Sequence, residues 1–206
     1  MKELMKKLEE LHRDLKNCRK CPEVCGRAVF ARPTKTKIML VGQAPGIHEE
    51  MLGKPFAHTA GKTLFKWLNE SIGINEDEAR ELIYFTAVAR CFPGKSATGK
   101  GDRPPSKLEI ENCRTHLQQE IDLIKPQIIL AVGKVAISEV LGEKAAALPL
   151  AEVVGKIFKT KFHGQSVHVI PLPHPSGVSR WPHTELGKNK LQKAFLKIRQ
   201  NLLPLL

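Results

Sequence analysis

A chain of 206 residues with 42% hydrophobic residues is long enough for one continuous core, and a single domain over residues 1–206 is expected. Its 33 Lys and Arg against 21 Asp and Glu leave a formal charge of +12, which favours an anionic partner but also serves solubility, so position must decide. The longest apolar runs, around Ile38 to Val41 and Ile128 to Val132, are far shorter than a membrane span. With no uninterrupted apolar stretch at the start, a soluble, cytoplasmic chain is expected, and there five cysteines point to metal ligation or burial before disulfides.

The chain starts with a helical pattern in which Leu4, Met5, Leu8, Leu11 and Leu15 share a face. Directly after it come Cys18 and Cys21 in CRKC. Four apolar segments then read as buried parallel strands: Lys37 to Val41, Ile83 to Ala89, Gln127 to Val132 and Val167 to Leu172. Helical patterns alternate with them over Gly61 to Ile72, Ser106 to Ile124, Lys134 to Leu141 and Leu186 to Leu203. In the second of these, Ile110, Cys113, Leu117, Ile121 and Ile124 form one apolar face, so Cys113 points inward. This alternation predicts an α/β fold, a three-layer α/β/α sandwich around a central four-stranded parallel sheet. Ligands of such sheets bind beyond the carboxyl ends of the strands, which directs attention to the loops after Val41, Ala89, Val132 and Leu172. The segment Phe92 to Pro105, FPGKSATGKGDRPP, reads as a mobile basic loop at that edge.

Cys91 ends the second strand and Cys113 lies on the helix after it, so with CRKC four thiols from separate segments can converge. Spacing alone does not choose between zinc, an iron-sulfur cluster and simple burial, and Cys25 is a spare that could replace a ligand. After the first strand comes GQAPG, Gly42 to Gly46, then GKPF ending at Phe56. A glycine-rich turn lets backbone N–H groups approach a ligand, but many α/β proteins have one, and the Walker lysine is missing. After the last strand His174 stands between two prolines in HPSGVSR, a better catalytic position than a helix surface, though a turn histidine bonded to backbone would look the same.

Taken together and in order, CRKC, GQAPG, GKPF, FTAVARC, RPPSKLEIENC, IKPQIILAVGKVA and HPSGVSR resemble the uracil-DNA glycosylases over about residues 15 to 200. The resemblance is closest to the fourth and fifth families, which carry a cluster. It implies a base-excision-repair enzyme that flips uracil or another deaminated base out of DNA and hydrolyses its N-glycosidic bond, acts as a monomer, and holds a [4Fe-4S] cluster on Cys18, Cys21, Cys91 and Cys113. It further implies that His174 stabilises charge on the departing base, that Phe56 stacks on it, and that Gly42, Ala44, Pro45, Gly46, Ala87 and Ser176 line the base site. By similarity to mismatch-specific glycosylases, Val178 is a wedge into the duplex and Arg180 contacts phosphate or base.

Two positions depart from the fourth-family pattern, Gln43 and Ala87, and one, Thr59, from that of the fifth family. Gln43 stands where the fourth family has Glu, and an amide can orient water but cannot take its proton. Thr59 stands where the fifth family has Asp. Glu49 and Glu50 could substitute, but a loop pair of this kind is more often solvated. Ala87 replaces the Asn that reads uracil in the fourth family, so a fifth-family-like enzyme of broad deaminated-base range is expected. The competing reading is a catalytically impaired iron-sulfur protein that binds nucleic acid on the same scaffold. A basic face of Lys95, Lys100, Arg103 and Arg180 is expected to meet DNA.

Overall fold

The computed structural model describes residues 2–24, 26–99, 101–177 and 179–202, apart from the side chain of Leu202. Cys25, Lys100 and Val178, all singled out above, lie outside the described residues.

In chain order the elements are α1 (Lys2–Asn17), β1 (Ile38–Gly42), α2 (Glu49–Leu52), α3 (Thr59–Ile72), α4 (Glu76–Leu82), β2 (Tyr84–Ala87), α5 (Lys107–Ile124), β3 (Ile128–Val132), α6 (Lys134–Leu141), α7 (Glu143–Ala147), α8 (Leu150–Val153), β4 (Phe158–Phe162), β5 (Gln165–Leu172) and α9 (Glu185–Leu202). The four expected strands are β1, β2, β3 and β5, and they pair in parallel in the order β2-β1-β3-β5. Their residues are apolar because both faces of the sheet are covered. Every residue of β1, β2 and β3 is buried. Helices flank the sheet, α1 packing with α5 and α3 with α9.

One expectation is corrected. The sheet has five strands, because β4 adds antiparallel to β5 at its edge. The sequence FKTKF alternates, with Lys159 and Lys161 exposed and Phe162 buried, which is an edge-strand pattern and not the apolar run of a central one. His163 and Gly164 close the hairpin, both at positive φ, as a two-residue turn of the primed type needs.

Capping fixes where the helices begin. Ser106 accepts from the Glu109 N–H while Glu109 accepts from the Ser106 N–H, and Asn75 and Glu78 do the same for α4. The hydrophobic cluster runs from Leu8 in α1 through all five strands to Ile198 in α9, leaving the carboxyl ends of β1, β2 and β5 to open on one cavity.

Candidate active site and cysteine cluster

A cavity of about 500 Å³ lies beyond those strand ends. It is lined by Gly42, Gln43, Ala44, Pro45 and Gly46 of the first turn, by Phe56 and Thr59, by Ala87 at the end of β2, and by His174 and Ser176 after β5. Arg180 is exposed outside the lining. The GQAPG turn continues the pairing of β1 with β2 past the strands, since Val88 N–H donates to Gly42 O and Ala89 N–H to Gln43 O.

Phe56 is held in an unusual backbone conformation, with φ +53°. Arg80 donates from Nη1 to Pro55 O at 3.1 Å and from Nη2 to Phe56 O at 3.2 Å. Two glycines make room. A Cβ on Gly61 would stand 1.7 Å from Phe56 O, and one on Gly42 would stand 2.8 Å from the Phe56 ring. The ring therefore lies across the end of β1, edge-on to Phe85 at 6.0 Å between centroids. It is half-buried, backed by the core and open to the cavity on one side.

His174 packs against Gly133, where a Cβ would stand 3.2 Å from its ring. Ser176 N–H donates to Nδ1 at 3.3 Å, so the neutral ring carries its proton on Nε2. Burial lowers the pKa of His174, opposed by the negative charge of Asp102, and the ring is uncharged at neutral pH.

Glu49 is a residue the sequence reading undervalued. It is 7% exposed and lines the cavity, while Glu50 is exposed. Its Oε2 accepts from Gly46 N–H and its Oε1 from Ala57 N–H, each at 3.0 Å. The carboxylate thus clasps the GQAPG turn to the segment carrying Phe56. Burial pushes its pKa up, and these N–H groups and Arg80 pull it partly back. The only sequence signal was the spacing from GQAPG, which does not reveal burial.

The expected basic face is partly neutralised. Lys95 pairs with Asp102 at 2.8 Å, and Arg103 forms a two-pronged pair with Glu109 at 2.8 and 2.6 Å. Asp102 itself lines the cavity.

Of the four expected cysteines, Cys113 is buried and Cys18, Cys21 and Cys91 are half-buried. Burial pushes the Cys91 thiol up to about 12, and Cys113, Cys18 and Cys21 all add to the rise, which places the four within electrostatic reach. Asn112 ties CRKC to α5, donating to Lys20 O at 3.0 Å and to Cys21 Sγ at 3.5 Å. The Arg90 N–H donates to the Cys113 sulfur. Among the described residues no three His, Cys, Asp or Glu side chains are gathered as ligands of a single metal ion. Beside the thiols, Arg90 is 1% exposed with Nε and Nη1 lacking a hydrogen-bond partner, and His116, one turn after Cys113, has both ring nitrogens buried and unpartnered. Arg90 already has Glu120 as its charge partner through Nη2, so the unpartnered atoms are its remaining N–H groups and the His116 ring nitrogens.

The model of the uracil DNA glycosylase superfamily matches residues 29–202, and the chain belongs to that superfamily. A type-4 uracil-DNA glycosylase of Pyrobaculum aerophilum is 33% identical over 181 residues, 85% of this chain and 86% of that protein. A type-4 uracil-DNA glycosylase of Sulfurisphaera tokodaii is 30% identical over 95% of this chain and 85% of its own length. A type-5 uracil-DNA glycosylase of Pyrobaculum aerophilum is 25% identical over 79% of each. The type-5 lean drawn from Ala87 therefore has no counterpart in overall identity, which is higher with these type-4 proteins.

Proposed function

We propose that the chain is a monofunctional DNA glycosylase that extrudes uracil or another deaminated base and hydrolyses its N-glycosidic bond. The observation that carries this is the pairing across one cavity of a neutral His174, protonated on Nε2, with the Phe56 ring laid over Gly42. A base between them stacks on the ring while its O2 accepts from Nε2–H. As the glycosidic bond breaks, charge grows on that oxygen, and a donor fixed beforehand by Ser176 and Gly133 stabilises it without reorganising. Backbone at Gly42 to Gly46 approaches closely because no side chain stands on Gly42 or Gly46. Gln43 orients water through its amide. Ala87 in the cavity lining gives no side-chain hydrogen bond to the base edge, which supports a tolerant base range.

We propose that Cys18, Cys21, Cys91 and Cys113 hold a [4Fe-4S] cluster, a reading supported by four soft thiol donors of which Cys91 feels the charge of the other three. When bound, it supplies a structural link between the start of the chain, β2 and α5. The substrate is DNA, met by the protein as a monomer. Single-turnover cleavage of oligonucleotides containing uracil, hypoxanthine or xanthine tests the reading. Excision of any of these supports it. Tight binding without excision of any would favour a non-catalytic nucleic-acid-binding protein, the reading to which Gln43 and Thr59 lend some weight.

A further inference from the structure

Hydrolysis of the glycosidic bond needs a group to take the proton of the attacking water, and the two places where a carboxylate was sought hold Gln43 and Thr59. Glu49 is not free for the task, because both its oxygens accept backbone N–H groups and hold the site together. We propose that Asp102, on the loop between β2 and α5, is the carboxylate that activates this water. The proposal rests on the glycosylase reading above.

Asp102 lines the same cavity as His174, Phe56 and Gln43. Its Oδ2 lies 3.4 Å from the point where a Cβ on Gly46 would stand, so the carboxylate overhangs the end of the GQAPG turn. Oδ1 is held by Lys95 Nζ at 2.8 Å. Lys95 holds that oxygen and leaves the other on the side of the turn. The negative charge of Asp102 is felt at His174 across the cavity.

The two arms of the loop pair with each other. Lys95 and Asp102 form an antiparallel bridge, Ser96 N–H donates to Gly101 O at 3.1 Å, and Arg103 N–H donates to Gly94 O at 3.0 Å. The residue after Asp102 is Arg103, whose fork on Glu109 joins the hairpin to the capping box of α5. Asp102 is thus set between two anchored neighbours, a precise placement that positioning of a water requires. The charged and titratable groups of the cavity besides it are Lys95 and Arg103 on its own loop, His48 and Glu49 after the GQAPG turn, His58 before α3, and His174.

In the step, the water oxygen bonds to the sugar C1′ as the C1′–N bond breaks. The bonding pair leaves with the base, whose charge His174 Nε2–H stabilises. The water proton passes to Asp102 Oδ2 and is then released to solvent, from which the base anion takes a proton. The products are an abasic site and the free base.

The test compares wild type, Asp102→Asn, Asp102→Glu and Lys95→Met in single-turnover excision from pH 4 to 9, with affinity for a duplex containing an abasic analogue and thermal melting measured alongside. The expected result is a rate about 10²-fold lower for Asp102→Asn, with affinity and melting close to wild type. The acid limb of the wild-type profile should disappear in that variant, and Asp102→Glu should recover part of the rate. Lys95→Met, which releases Oδ1, should lower the rate less than Asp102→Asn does. Asp102→Asn at wild-type rate, or a slowed variant that keeps the acid limb, overturns the assignment while leaving the glycosylase reading in place. A wild-type protein inactive on every deaminated base overturns both.

Discussion

Arg90 and Glu120 form an ion pair in which each side chain is 1% exposed. Tyr84 donates its hydroxyl to Glu120 Oε1 at 3.1 Å and Thr86 donates to Oε2 at 2.6 Å, so one carboxylate satisfies three donors from β2 and the segment after it. His12 Nε2 lies 2.9 Å from the Tyr84 oxygen. Because the Tyr84 proton is committed to Glu120, His12 must donate, and α1 is joined to the network through its Nε2–H tautomer. Removing one member of a buried pair strands the other charge. Glu120→Ala should therefore destabilise the fold by roughly 3 kcal/mol or more in denaturant melts, whereas a neutral isostere is the gentler change.

The same network makes the fold sensitive to acid. Burial and the Arg90 charge lower the pKa of His12 to about 4, against 6.5 when unfolded. Between those values the unfolded chain binds the extra proton, so stability falls as pH drops from about 6.5 to 4. His116 and His174, also lowered by burial, act in the same direction. Glu49, raised by burial, runs the other way and weakens the fold as pH rises through its folded value. Denaturant midpoints measured at pH 7, 6, 5 and 4 should decline stepwise, and His12→Gln should flatten the decline.

Protein purified without oxygen should be brown and carry about four irons per chain, as a cubane cluster on four thiolates requires. Cys113→Ala should lose most of that iron and melt at a lower temperature, with little change in which base is preferred. Iron and sulfide assays with visible spectra check both. Stoichiometric zinc without sulfide would remove the cluster.

His174→Ala should lower single-turnover excision by about 10²-fold or more, the usual cost of one lost donor to developing charge. Gln43→Ala should be milder, because an amide only orients water. Gln43→Glu should raise the rate on both bases by adding a carboxylate near the water, whereas Ala87→Asn should raise it on uracil relative to hypoxanthine by reading the uracil edge. Parallel assays on the two substrates separate these effects.

DNA affinity should fall steeply with salt, and Arg180→Glu should weaken binding to damaged and undamaged duplex alike while reducing the salt slope by about one. Arg103→Glu should do more than remove a phosphate contact, because it also breaks the fork on Glu109. Titrations at several salt concentrations distinguish the two.

Much of this architecture was legible because its signals are local. An unbroken apolar run such as IMLV or IILAV has few fates other than a buried strand, and Ser106 with Glu109 announces the start of α5. The strand β4 escaped because its lysines face water, leaving alternation in place of an apolar run. Glu49 escaped for a different reason. Whether a loop carboxylate is solvated or clasped by two N–H groups depends on where Ala57 arrives in space, and no local pattern carries that. Asp102 looked like one more polar residue in a basic loop. Its importance comes from pairings between Gly94 and Arg103 and between Lys95 and Asp102 that only the folded hairpin brings together.

The antiparallel strand at the end of the sheet has a consequence for how these molecules behave when concentrated. An unpaired strand edge is a template on which a second chain can extend the sheet, and repeated addition leads to aggregates. Here the outermost strand is short and turns Lys159 and Lys161 to water, so two approaching edges would bring like charges together. The hairpin closed by His163 and Gly164 thus ends the sheet with a strand built to refuse further partners, and so protects the apolar run of β5 behind it from self-association.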